Sequence, residues 1–93
     1  MIKVLLLKNG SVLITEIEEV TAELGEPDCK LINPVEILDT EPLQLKKWLH
    51  DYTTQTTSML SSDSILTIVD PHKIIEDDYK KFLSKWSSIQ MSN

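Results

Sequence analysis

The sequence predicts a mainly β fold: bent antiparallel strands, as closing a small barrel would require, followed by one C-terminal α-helix. Three observations predict it. Apolar and polar residues alternate from Ser11 to about Val20, as they do on a strand with two different faces. Asn9-Gly10, between two apolar runs, is a strong short hairpin signal. From Ile75 onward, apolar residues recur at spacings of three and four, the period of a helix with one buried face.

The first strand is Ile2 to Leu7 (IKVLLL), with Lys8 and Ser11 flanking the Asn-Gly turn. Its Val4-Leu5-Leu6-Leu7 run is apolar on both faces, whereas a half-exposed antiparallel strand would alternate. Either the chain's own helix or another subunit must cover the outer face. The second strand places Leu13, Thr15 and Ile17 on one face and Ile14, Glu16 and Glu18 on the other. Glu18-Glu19 interrupts the alternation before Val20, which predicts a bulge or sharp bend there. Ala22 to Asp28 (AELGEPD) is a loop, punctuated by Gly25 and Pro27.

Cys29 to Leu38 is a third strand. Pro34 inside it removes a ladder donor and marks an edge, a bulge or a register change. Leu43 to Tyr52 fits a strand or a helix and is taken as a strand, leading into a Thr-rich loop at Thr53 to Ser58. Met59-Leu60 and Ile65 to Val69 flank the polar turn Ser61 to Ser64, and Asp70-Pro71 ends the last strand. The helix runs from about Lys73 to Gln90, with Ile75, Tyr79, Phe82, Leu83, Trp86 and Ile89 on one face. Glu76, Asp77 and Asp78 precede Lys80, Lys81 and Lys85, an order that complements the helix dipole. Residues 1–72 are read as the barrel and 73–93 as a helix and tail of the same domain.

Composition narrows the function classes. A chain of 93 residues buries only about 60–65% of its unfolded surface, so its 41% apolar content is expected to find part of its cover in a partner subunit. Cys29 is the sole cysteine, which excludes an internal disulfide and a cysteine metal cluster; it reads as a small core hydrophobe. The apolar start is too short for a signal peptide, and no run approaches a membrane span, so a cytoplasmic protein with no membrane partner is expected. Residues 1–69 carry five Lys against eleven Asp and Glu, giving −6, while residues 70–93 carry four of each. All nine cations are Lys and none is Arg. A net-acidic barrel discourages general adhesion to phosphate backbones.

Two segments carry a resemblance to a known family. Leu7 to Gly25 (LKNGSVLITEIEEVTAELG) has the spacing of an Sm1 motif, and Leu60 to Ile68 (LSSDSILTI) that of an Sm2 motif. The chain thus resembles the Sm-like family across residues 2 to 69. The resemblance implies a five-stranded, SH3-type small barrel that closes into a homo-oligomeric ring of five to seven copies and handles RNA. Leu7 and Gly10 match the turn, Leu13, Ile17 and Val20 the apolar positions, and Ile65 and Ile68 the last strand. The family's usual helix before the first strand is expected to be absent, and Thr15 replaces the glycine of the bend.

The RNA-gripping positions are substituted. Thr21 stands for the loop Asp, Leu24 for its apolar companion, Gly25 for the Asn, and Ser61-Ser62 for the Arg-Gly pair. A hydroxyl cannot reproduce a guanidinium's forked donors or its stacking plane. At about 1–3 kcal/mol for each lost base contact, the standard uridine pocket is expected to be absent. Lys46, Lys47 and the helix lysines read as solvated charge rather than phosphate contacts.

No phosphate loop, zinc spacing, nucleophile elbow or dinucleotide fingerprint occurs, and His50 and His72 stand singly. The chain is therefore expected to be no enzyme, with no catalytic, cofactor or metal-binding residues. Two readings remain: a ring with an altered RNA site, which the family resemblance favours, and, as the alternative, a non-catalytic ring scaffold that binds another protein. In either, Val4, Leu66 and Ile68 are the expected oligomer contacts.

Overall fold

A computed structural model describes the backbone of residues 1–91 and the side chains of residues 1–86. Six strands are followed by one helix: β1 (Ile2–Leu7), β2 (Val12–Glu19), β3 (Cys29–Thr40), β4 (Leu43–Lys47), β5 (Thr57–Leu60), β6 (Ile65–Val69) and α1 (Lys73–Met91). All pairings are antiparallel, in the order β4-β3-β2-β1-β6, with β5 paired to β3. No ladder joins β6 to β4 or β5, so the described strands form an open sheet with free edges on both sides.

The turn between β1 and β2 follows the Asn-Gly signal. Gly10 has φ +91° and donates its N–H to the Leu7 carbonyl, while the Asn9 carboxamide accepts from the Ser11 N–H. Ser11 belongs to this turn, and β2 begins at Val12.

The sharp bend lies elsewhere than at Glu18-Glu19. Ile14 pairs with Val35 and Glu16 with Ile32, so Thr15 alone faces the two residues Asn33 and Pro34. This two-against-one step is a β-bulge on β3. Asn33 takes the left-handed conformation, φ +52°, which asparagine tolerates better than most residues. Pro34 has no N–H to lose there. Thr15 is fully buried, and its hydroxyl donates toward the carbonyls of Glu16 at 2.8 Å and Ile32 at 3.0 Å. The alternation at Glu18-Glu19 fails because β2 is ending; Val20 donates its N–H to Asp28 O across the loop stem.

The bulge also divides the fourth strand, which is why six strands appear where five were expected. β5 pairs with β3 from Cys29 to Ile32, and β4 pairs with it from Val35 to Thr40. The two short strands therefore lie along the same side of β3. Between them Trp48 N–H turns back to Pro34 O at 3.0 Å, and Leu49 adopts φ +61°. A single strand over Leu43 to Tyr52 cannot pass the bulge in register.

Because side-chain direction alternates along a strand, the bulge inverts which residues of β3 face which side. Leu31, before it, packs with Leu5, Leu7 and Leu13 on the inner face, joined by Ile17, Trp48, Leu60 and Ile65. Val35, after it, joins Ile14 on the opposite face under α1. There Ile75, Tyr79, Phe82 and Leu83 cover Ile2, Val4, Ile37 and Leu45. The two-faced apolar character of β1 is thus largely answered within the chain, by its own helix. Ile89 lies outside the residues whose side chains are described.

Tyr79 fixes that helix to the bulge. It is fully buried, and its hydroxyl donates to Asn33 O at 2.8 Å. Burial, then the neighbouring Glu16 charge, pushes its pKa up to about 12. Further along, the buried Lys47 ammonium lies 4.7 Å from the Trp86 ring centre and 3.4 Å from Thr53 O. Burial lowers the pKa of Lys47.

Candidate functional site: the open seam and the two loops beside it

The seam beside β6 follows from how β6 pairs. Leu5 sits opposite Ile68 and Leu6 opposite Thr67, but Leu7 sits opposite Ile65, so Leu66 is an extra residue. Its side chain is 59% exposed, and those of Ile68 and Val69 are each 49% exposed. Ile68 lies opposite buried Leu5, on the inner face, yet among the described residues nothing closes over it. Between β6 and the adjoining ends of β2 and β3 opens a cavity of about 660 Å³. Ile17, Cys29, Ile65 and Ile68 give it an apolar wall, and the carboxylates of Glu19 and Asp28 also line it.

The sequence pattern of the edges is unusual. β5 (TSML) and β6 (ILTIV) contain no charged residue, whereas each of the other four strands contains at least one. Exposed sheet edges are commonly protected from pairing by charge or proline. β6 has a bulge at Leu66 but neither of those protections.

One fastener holds the turn between these two strands. Asp28 accepts the Ser62 N–H and the Ser62 hydroxyl, both at 2.7 Å. These two bonds, the hydroxyl first, lower the Asp28 pKa from its ordinary 3.8. Ser61 caps the following 3-10 turn (Ser62–Ser64), its hydroxyl accepting from Asp63 N–H. Sequence reasoning missed Asp28, because its partner is 34 residues away and an aspartate at a loop end has many ordinary uses.

The five positions matched to an RNA pocket are only partly brought together. Ser61 and Ser62 sit in the β5–β6 turn, and Ser62 reaches the stem of the β2–β3 loop through Asp28. Thr21 is exposed beside that stem, next to Val20. Leu24 and Gly25 stand at the loop tip, and Leu24 is fully exposed. Glu23, Glu26 and Asp28 belong to the same loop, and Glu18 and Glu19 lie just before it. The site thus presents carboxylates, with no cation in the loop itself.

Of the expected oligomer contacts, Leu66 and Ile68 are exposed, while Val4 packs under α1. Cys29 is buried in β3 as a small apolar residue, and burial, then the Asp28 charge, raises its thiol pKa. Among the described residues, no three His, Cys, Asp or Glu side chains converge as a metal site. No helix is long and apolar enough to cross a membrane.

These features define a small antiparallel β-sheet protein, capped on one face by a helix and open along one seam. Residues 1–84 match DUF6561, a family of unknown function, and the chain belongs to that family. No curated protein matches the chain.

Proposed function

We propose that the chain is a non-catalytic, self-assembling scaffold of Sm-like type, in which β6 of one copy pairs with β5 of the next. The observation that carries this reading is the placement of both uncharged strands at free edges of one sheet. A heterologous pairing of this kind repeats, and it closes into a ring when the rotation between copies permits. Each junction would complete the barrel-like curvature at the seam and cover Leu66 and Ile68. The Asp28–Ser62 fastener sits at the turn joining the two edges, so it would set the angle between them and with it the number of copies.

The acidic β2–β3 loop favours the scaffold over an RNA-binding ring, since its three carboxylates, with Glu18 and Glu19 at the end of β2, repel a phosphate backbone. The proposed partner is therefore another copy of the chain and, on the assembled surface, another protein.

Light scattering on the purified protein, followed by titration with labelled uridine-rich and mixed-sequence RNA, tests the proposal. A closed oligomer that ignores both RNAs is the expected result. A closed oligomer that binds RNA, more weakly as salt rises, would replace the scaffold by an RNA-binding ring. A monomer would overturn the self-assembly itself.

A further inference from the structure

The β2–β3 loop displays one leucine on a defined turn. Glu26 N–H donates to Glu23 O at 3.0 Å, and Gly25 takes φ +88° at the third position, as a type II turn requires. Leu24, at the second position, is fully exposed, with Glu23 and Glu26 on either side of the Leu-Gly pair.

A groove of matching character lies between β4 and α1. It encloses about 260 Å³ over Leu43, Leu45 and Phe82. Lys81 and Lys85 stand exposed on its helix side, and Asp78 is the one carboxylate lining it among the described residues. The groove is net positive and apolar at its floor; the loop is net negative with an apolar tip.

The loop cannot reach the groove of its own chain. It ends where β3 begins at Cys29, whereas Leu45 pairs with Ile37 and Leu43 with Thr40, at the other end of the same strand. The eight steps from Cys29 to Ile37 span roughly 25 Å. The complementary surface must come from another molecule.

We propose that Leu24 of one copy docks into the Leu43–Leu45–Phe82 groove of a second copy, with Glu23 and Glu26 meeting Lys81 and Lys85. The two surfaces differ, so the contact is heterologous and can repeat from copy to copy. It involves neither β5 nor β6 and is therefore separate from their pairing. One leucine and two charge pairs bury little area, so the contact is weak between single molecules. It strengthens by repetition when several copies are already held together, as in a ring.

Charge exchange tests the contact. One variant carries Glu23→Lys and Glu26→Lys; the other carries Lys81→Glu and Lys85→Glu. Alone, each variant opposes like charges at every loop–groove contact. Mixed in equal amounts, each loop meets a groove of opposite sign on the other variant. Sedimentation velocity up to millimolar protein, with circular dichroism to confirm folding, is the readout. Wild type should show concentration-dependent association that weakens with salt. Each variant alone should associate at least about tenfold more weakly, and the mixture should regain the wild-type behaviour. Leu24→Ser, which alters no charge, should also weaken association.

The contact is overturned if wild type shows no salt-sensitive association, if the variants associate as wild type does, or if the mixture fails to recover. Failure of the edge pairing would look different. It would remove the salt-insensitive oligomer at low concentration and leave the salt-sensitive step in place.

Discussion

The two sides of this sheet are finished to different degrees. On the face beneath α1, Ile14, Val35 and Tyr79 are almost wholly buried, and Ile75, Phe82 and Leu83 complete the cover. Along β6, Leu66, Ile68 and Val69 remain about half exposed, beside an open cavity with an apolar wall. Both regions carry apolar side chains. The difference shows that the chain supplies its own partner for one face and leaves the other edge for something else. The helix answers the question that the two-faced β1 raised, and β6 raises it again.

The comparison can be broken from the finished side first. Ile14 is fully buried on the face beneath α1, and Ile14→Ala is expected to cost about 2–5 kcal/mol in denaturant unfolding. Tyr79→Phe comes next, at about 1–2 kcal/mol, because it leaves the Asn33 carbonyl without its donor. Hydrogen exchange should quicken at the amides around the bulge, notably at Asn33, whose N–H is bonded to Thr56 O. A stability change with no local quickening there would detach the tyrosine from the bulge.

The fastener at the seam gives a smaller effect with a defined pH dependence. The folded pKa of Asp28 is depressed below 3.8 because its ionised form accepts two bonds from Ser62. Its contribution is therefore complete above pH 3.8 and lost as pH falls through the lower folded value. Wild type and Asp28→Ala should differ by a constant amount above that pH and converge below it. Chemical denaturation at several pH values measures the difference; a gap that persists in strong acid would contradict the assignment.

Much of this fold was legible in sequence because the residues that mark it act locally. Asn9-Gly10 marks its turn through backbone conformation, and the spacing of Ile75, Tyr79, Phe82 and Leu83 marks the helix. Pro34 correctly announced irregularity in the third strand. What it could not announce was that Thr15 would be the single residue opposite the bulge, or that the bulge would divide the fourth strand into β4 and β5. Those outcomes depend on pairing between distant segments. The Asp28–Ser62 fastener was hidden for the same reason. The Leu43 to Tyr52 stretch was ambiguous because its apolar spacing serves two periods, and tertiary pairing settles it.

The smallest expected effect on the folded monomer is also the most direct test of self-assembly through the seam. Leu66 is exposed on an edge strand, so Leu66→Asp should change monomer stability by no more than about 0.5 kcal/mol. It would nevertheless place a charge in the middle of the proposed junction. Light scattering of wild type and Leu66→Asp at equal concentration should show a closed oligomer for the first and a folded monomer for the second. A monomeric wild type, or a variant that still elutes as the same oligomer, would contradict assembly through β6.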